Sequence, residues 1–147
     1  MNVSGMFSTT GISASGLAAE KMRMEIAANN IANAHNTMTE TGGPFRRQQV
    51  VFSDAMNGAS VSANTGSEAV IKGVQVMQIT SDNSELPEIY DPGHPHADKR
   101  GFVRMPNVAI PVEMVDLMTA SRAYESNLKA LQTYRQMVEQ SLSLLRG

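Results

Sequence analysis

The chain has 147 residues and a formal charge of −2, with 12 Lys and Arg against 14 Asp and Glu, so neither a nucleic-acid binder nor a protein steered to anionic membranes is indicated. Cysteine is absent, which excludes a disulfide scaffold, a thiol nucleophile and a thiolate metal site. Aromatic residues make up 5%, tryptophan is missing and methionine reaches 11; this suits an elongated, assembling chain better than a rigid enzyme core.

The opening stretch, MNVSGMFSTTGISASG, carries neither the basic n-region nor the apolar run of a secretory signal. No run of about 18 apolar residues exists to cross a bilayer. No cleavable signal and no direct membrane insertion are therefore expected. Pattern then divides the chain into three: residues 1–36, 37–106 and 107–147, expected as an N-terminal helix, a β-hairpin and loop segment, and a long C-terminal helix. The middle part holds all but one of the prolines.

In the first part, helix is expected after Gly16, with Ser13 or Ser15 as cap. Leu17, Met24 and Ile31 recur every seven residues, and Ala27 and Ala28 fill the same side. Gly5, Gly11 and Gly16 each weaken helix by about 1 kcal/mol relative to Ala. This helix therefore needs a partner, and the C-terminal helix is the obvious one. The run Ala28-Asn-Asn-Ile-Ala-Asn-Ala-His-Asn36 is rich in a mediocre helix former. Two readings are open: a C-terminal stop, with His35 at the negative pole of the helix, or buried amides that fix register between helices. Residue types alone favour the stop.

In the middle, residues 45–53 (FRRQQVVFS) and 74–80 (VQVMQIT) read as strands, joined by a Gly/Ser/Asn loop. A further short strand is expected at 102–105. Arg46 and Arg47 could bind phosphate, yet two arginines on a strand more often face solvent at an edge. The stretch Asp91-Pro-Gly-His94-Pro-His96-Ala-Asp98 has ligand-type side chains. Its prolines and glycine indicate a rigid exposed turn, and no third histidine or glutamate lies nearby. No metal or cofactor is expected.

The third part carries the clearest pattern. Pro111 suits a helix first turn. Leu117, Tyr124, Leu131, Val138 and Leu145 are seven apart and all apolar. Met114, Ser121, Leu128, Arg135 and Leu142 form the expected companion set at alternating three- and four-residue steps. A helix of about 35 residues would be roughly 50 Å long. Glu113, Asp116 and Glu125 are read as a solvated face. No phosphate-binding, nucleophile-elbow or zinc-protease motif is present, and no catalytic reading survives.

Ala27-Ala-Asn-Asn-Ile-Ala-Asn-Ala-His-Asn-Thr37, with its core at Asn30-Ile31-Ala32-Asn33, resembles the N-terminal signature of the bacterial flagellar axial family of rod, hook and hook-associated proteins. TGGPFRRQQVVF (41–52), YDPGHPHADKRGFVRMPNV (90–108) and EMVDLMTASRAYESNLKALQTYRQM (113–137) resemble its proximal-rod members. The resemblance implies a non-enzymatic structural subunit of the basal-body rod, the drive shaft across the periplasm. It implies assembly with other flagellar rod proteins and with itself, and passage through the flagellar type III export apparatus. The implied fold is mainly α with a small β insertion, the terminal helices paired as a coiled coil. In that light Asn30 and Asn33 shift from a helix stop to amide contacts between subunits. The expected subunit-interface residues are Leu17, Met24, Asn30, Ile31, Asn33, Leu117, Tyr124, Leu128, Leu131, Val138, Leu142 and Leu145. The competing expectation is a soluble helical-hairpin adaptor or secretion chaperone.

Overall fold

The computed structural model describes the backbone of residues 3–40, 42–56 and 71–146, and the side chains of 10–40, 42–55 and 73–144. The element order is α1 (Val3–Ala32), β1 (Gln48–Met56), β2 (Ile71–Ser81), β3 (Glu88–Tyr90), β4 (Phe102–Arg104) and α2 (Ile110–Arg146). It is mainly α with a small β part, as expected.

α2 runs for 37 residues. Nothing in its interior breaks it: Pro111 sits in the first turn, where its missing N–H costs nothing, and Glu113 sits near the positive helix pole. α1 is the poorer helix by residue type, yet it is helical from Val3 rather than only after Gly16. Packing explains the difference, because short or weak helices take their stability from what covers them. α1 is covered on two sides. On one side Asn30 meets Glu113 of α2, and fourteen residues earlier Gly16 meets Asn127, fourteen residues further along α2. The two helices therefore run antiparallel in a constant register. On the other side lies the β1–β2 hairpin. Ser15 does not cap; its Oγ donates to the Ile12 carbonyl at 2.7 Å and accepts the Val74 N–H at 3.1 Å.

α1 is thus a middle layer, and its small residues follow from that. Ala19, Ala27 and Ala34 are buried, together with Ala120 of α2. A Cβ on Gly16 would lie 3.1 Å from the Asn127 amide. Gly73 has φ of +115°, and a Cβ there would fall 2.1 Å from Ser15 Oγ. Glycines on each flank of α1 let both neighbours come close. Ala28, expected on the inner side, is exposed.

α2 corrects the expected seam by one residue. Its inward line is Glu113, Leu117, Ala120, Tyr124, Asn127, Leu131, Tyr134 and Val138, buried or half-buried at alternating four- and three-residue steps. The apolar set at 117, 124, 131 and 138 lies on it. The expected companions at 114, 128, 135 and 142 do not: Met114, Leu128, Arg135 and Leu142 are exposed, and Ser121 is only half-covered. Their places are taken by Glu113, Ala120, Asn127 and Tyr134, a mixed set that an apolar template passes over. Leu145 lies outside the described side chains.

β1 and β2 pair antiparallel, from Gln48 opposite Ser81 to Met56 opposite Ile71. The register slips between Val51 and Phe52, where Met77 is the extra residue, and again beside Gly73. β1 keeps the expected length but begins and ends three residues later, and β2 is longer than the sequence-based span at both ends. β3, not expected at all, pairs with β4. Their hairpin buries Val103, and Tyr90 meets Phe102 edge-on at 5.3 Å.

Candidate functional site

The fully buried polar residues among those described are Asn30 and Glu113, each 1% exposed. Buried polar groups are expensive unless each lone pair and proton is used, so their partners define the centre of the molecule. Asn30 Nδ2 donates to the Gln48 carbonyl at 2.9 Å and to Glu113 Oε2 at 2.8 Å. Its Oδ1 accepts the Gln48 N–H at 2.9 Å. The amide thus grips both backbone groups of the first β1 residue, as a neighbouring strand would.

Glu113 Oε1 accepts from Arg47 Nε. The other arm of that guanidinium reaches Asp116 Oδ2 at 3.1 Å. Arg47 N–H donates to Asn107 Oδ1 at 2.8 Å, and Asn107 Nδ2 donates onward to the Asp82 carbonyl and Ser84 Oγ. One cluster therefore ties α1, the entry to β1, the exit of β2 and the first turn of α2. A groove of about 230 Å³ opens beside it, lined by Arg23, Ala27, Asn30, Arg47, Glu113 and Asp116 among others. Arg23 is already paired with Glu20 at 3.1 Å. The charged groups around this groove balance one another, and the chemistry available there is cohesion.

Around this centre, loops close on themselves. Asn33, three residues after Asn30, ends the helix: its Nδ2 donates to the carbonyl and side chain of Asn29, both at 3.0 Å. Asn36 continues the chain of amides and receives the Met38 N–H. Asp98 accepts the backbone N–H groups of Arg100 and Phe102. The Phe102 hydrogen bond foremost, with help from Arg100, holds its carboxyl below the ordinary aspartate value. Asp82 is lowered in the same way, first by the Ser84 N–H and hydroxyl, then by the charges of Arg47 and Arg46. The histidines sit in this loop system, His96 against Thr37 Oγ1 at 2.9 Å. Among the described residues no three acidic or histidine side chains are grouped to hold a metal.

The residues expected at interfaces separate into three groups. Asn30 is used up inside the chain, and Asn33 serves the helix end. Leu17, Met24 and Ile31 of α1, and Leu117, Tyr124, Leu131 and Val138 of α2, are half-buried along the helix pair. Leu128 and Leu142 are 40% and 56% exposed on the outside of α2. Sequence reasoning missed Glu113 and Arg47, both set down as solvent-facing. The signal was there: Glu113 is seven residues before Ala120 and fourteen before Asn127, on the line that faces α1.

Comparison with known proteins gives a consistent picture. Residues 12–37 match the family described as "Flagella basal body rod protein", and residues 99–144 match "Flagellar basal body rod FlgEFG protein C-terminal". The chain is similar to the flagellar basal-body rod protein FlgC of Borreliella burgdorferi, 36% identical over 97% of this chain and 99% of that one. It is 40% identical to FlgC of Salmonella typhimurium over 90% and 92% of the two chains. With FlgC of Bacillus subtilis it shares 35% over 94% and 97%. The matches reach across both helices and the hairpins between them.

Proposed function

The chain belongs to the FlgC family of flagellar basal-body rod proteins, and on that premise we propose how it is built into the rod. It is a structural subunit of the flagellar basal body and not an enzyme; a helical-hairpin adaptor or secretion chaperone is not favoured. In the proposed reading it forms part of the proximal drive shaft in the periplasm. It stacks helically with copies of itself and with other rod proteins, after passing through the flagellar type III export apparatus. Residues 1–36 and 107–147 form the coiled-coil core of the subunit, and residues 37–106 pack outward from it.

One observation carries this reading. α2 leaves Val112, Met114, Val115, Met118, Leu128, Met137, Leu142 and Leu144 exposed, Leu144 to 83%. So many exposed apolar side chains around one helix mark surface that other molecules cover. Within a rod, neighbouring subunits would cover it, and Leu128 and Leu142 would be contact residues between subunits. Leu117, Tyr124, Leu131 and Val138 would act one step earlier, holding the helix pair that presents them.

The test is complementation of a strain deleted for this gene, followed by electron microscopy of its basal bodies. Leu128→Asp is expected to give a soluble, folded chain that does not restore rods or motility. Normal rods from that variant would remove the proposed contact.

A further inference from the structure

The polar cluster at the centre of the molecule draws its members from three separate parts of the chain. Asn30 closes α1, Arg47 immediately precedes β1, and Glu113 stands in the first turn of α2. The carboxylate of Glu113 is the hub, taking Asn30 on one oxygen and Arg47 on the other. α2 has few other ways to touch the hairpin: the hairpin strands pack on α1, on the far side from the seam. We propose that the Glu113–Arg47 pair is a lock through which α2 holds the β1–β2 hairpin on α1, so that the hairpin undocks as a unit when the pair is broken while the helices stay together.

Two features make the hairpin a separable body. Its hydrogen bonds to α1 are few and sit at its two ends, Asn29 and Asn30 on Gln48 and Ser15 on Val74, and between them the apolar side chains of β1 are only half-buried. β1 and the stretch of α1 from Ser15 to Asn30 each span roughly 25 Å, so the strands lie along the helix between these two pins. The outer faces of the strands are open, with Val74, Val76, Met77 and Ile79 all exposed. No fully buried side chain of β1 or β2 welds the hairpin down among the described residues apart from the glycine contact at Gly73. Elements with few buried apolar contacts open at a lower free energy than the whole chain does.

The helix pair, by contrast, does not depend on the lock. Its inward line continues through Leu117, Ala120, Tyr124 and Leu131 without charge. The lock also has a direction. Glu113 is 83 residues from Asn30 and 66 from Arg47, and it comes last in the chain. A chain that enters its site N-terminus first can pair β1 with β2 early. It can fix that hairpin on α1 only after the first turn of α2 arrives.

Hydrogen exchange on the full-length chain, read by mass spectrometry, tests the proposal with Glu113→Gln and Glu113→Ala. Glu113→Gln keeps the shape and an acceptor for Asn30 but loses the charge that holds Arg47. In both variants, amides of residues 48–54 and 74–81 are expected to exchange about tenfold faster or more, with those of 117–127 changed by less than about twofold. Asp116→Ala, which removes only the exposed partner of Arg47, should leave the hairpin near the parent rate. Three results overturn the lock: an unchanged hairpin in Glu113→Gln, an equal loss of protection in hairpin and helices, or a hairpin already unprotected in the parent chain.

Discussion

The two ends of the helix pair are built on different principles. At one end, Asn30, Glu113 and Arg47 form a saturated polar cluster with three layers of structure around it. At the other, beyond Leu128, every described residue of α2 is exposed except Leu131, Tyr134 and Val138, and these are only half-buried. The inward side of the clamped end is satisfied from within the chain, while Val112, Met114, Val115 and Met118 stay exposed on its outer side. The open end carries apolar side chains that the chain alone cannot cover, with Leu142 and Leu144 among the most exposed. Fold specificity thus resides at the clamped end, whereas under the proposed reading assembly draws on exposed apolar side chains along the whole of α2 and, beyond Leu128, on an end with little other cover.

The sharpest way to break this contrast is at the clamp. Arg47→Met leaves the Glu113 carboxylate buried without its cation, which typically costs about 3–5 kcal/mol. Urea unfolding followed by circular dichroism should show a loss of that order. Asn30→Ala removes the grip on Gln48 and a proton donor to Glu113, at about 1–3 kcal/mol for the groups left unpaired. Asn33→Ala should lie well below that, because Asn33 is partly exposed and serves only the helix end. Equal losses at positions 30 and 33 would erase the distinction drawn between them.

A second pair of substitutions separates folding from assembly along α2. Leu131→Asp places a carboxylate on the inward line and is expected to lower the melting temperature of the free chain, by several degrees if the loss is about 1–2 kcal/mol. Leu128→Asp, three residues away on the outside, should stay within about 0.5 kcal/mol of the parent. Both should abolish motility, for different reasons. A large stability loss at Leu128 would place the seam where the apolar template had put it.

Smaller effects refine the picture. Gly11 has open space where its Cβ would be, so Gly11→Ala should stabilise α1 by about 0.5–1 kcal/mol through propensity. Gly73→Ala should destabilise, because both the positive φ and the contact with Ser15 resist a side chain. The smallest change is with acid. The carboxyls of Asp98 and Asp82 are lowered in the folded chain. Their contribution is present above the ordinary aspartate value and fades as pH falls through the folded values. Asp98 is exposed and Asp82 half-buried at the surface, so only a slight loosening of the 91–102 and 82–84 turns is expected, visible as a lower local amide protection factor in acid.

Much of this architecture is legible in residue types. The long helix shows itself by a seven-residue apolar line and an interior free of glycine. Two strands show themselves by β-branched runs, and the Asp91–Asp98 turn by proline and glycine. The central cluster does not, and the reason is physical. A binary apolar pattern assumes that inward positions are apolar, whereas Glu113 and Asn127 are inward and polar because Asn30 and Gly16 across the seam accommodate them. Reading Met114, Leu128 and Leu142 as the companions therefore shifted the seam outward by one residue. Arg47 has the same origin: a charged residue before a strand reads as solvated until its buried carboxylate is located 66 residues away. α1 shows the opposite case, where three glycines argue against a helix that two covering layers then enforce.

The central claim is that α2 is folded by the chain at one end and by its neighbours at the other. Hydrogen exchange along α2, measured on the free chain and again on purified basal bodies, tests it most directly. In the free chain, amides of residues 113–124 should be protected and those of 134–146 should exchange nearly as fast as open helix ends. In the basal body the distal amides should slow by about a hundredfold or more while the proximal ones change little. Distal amides already protected in the free chain, or still unprotected in the rod, would contradict it.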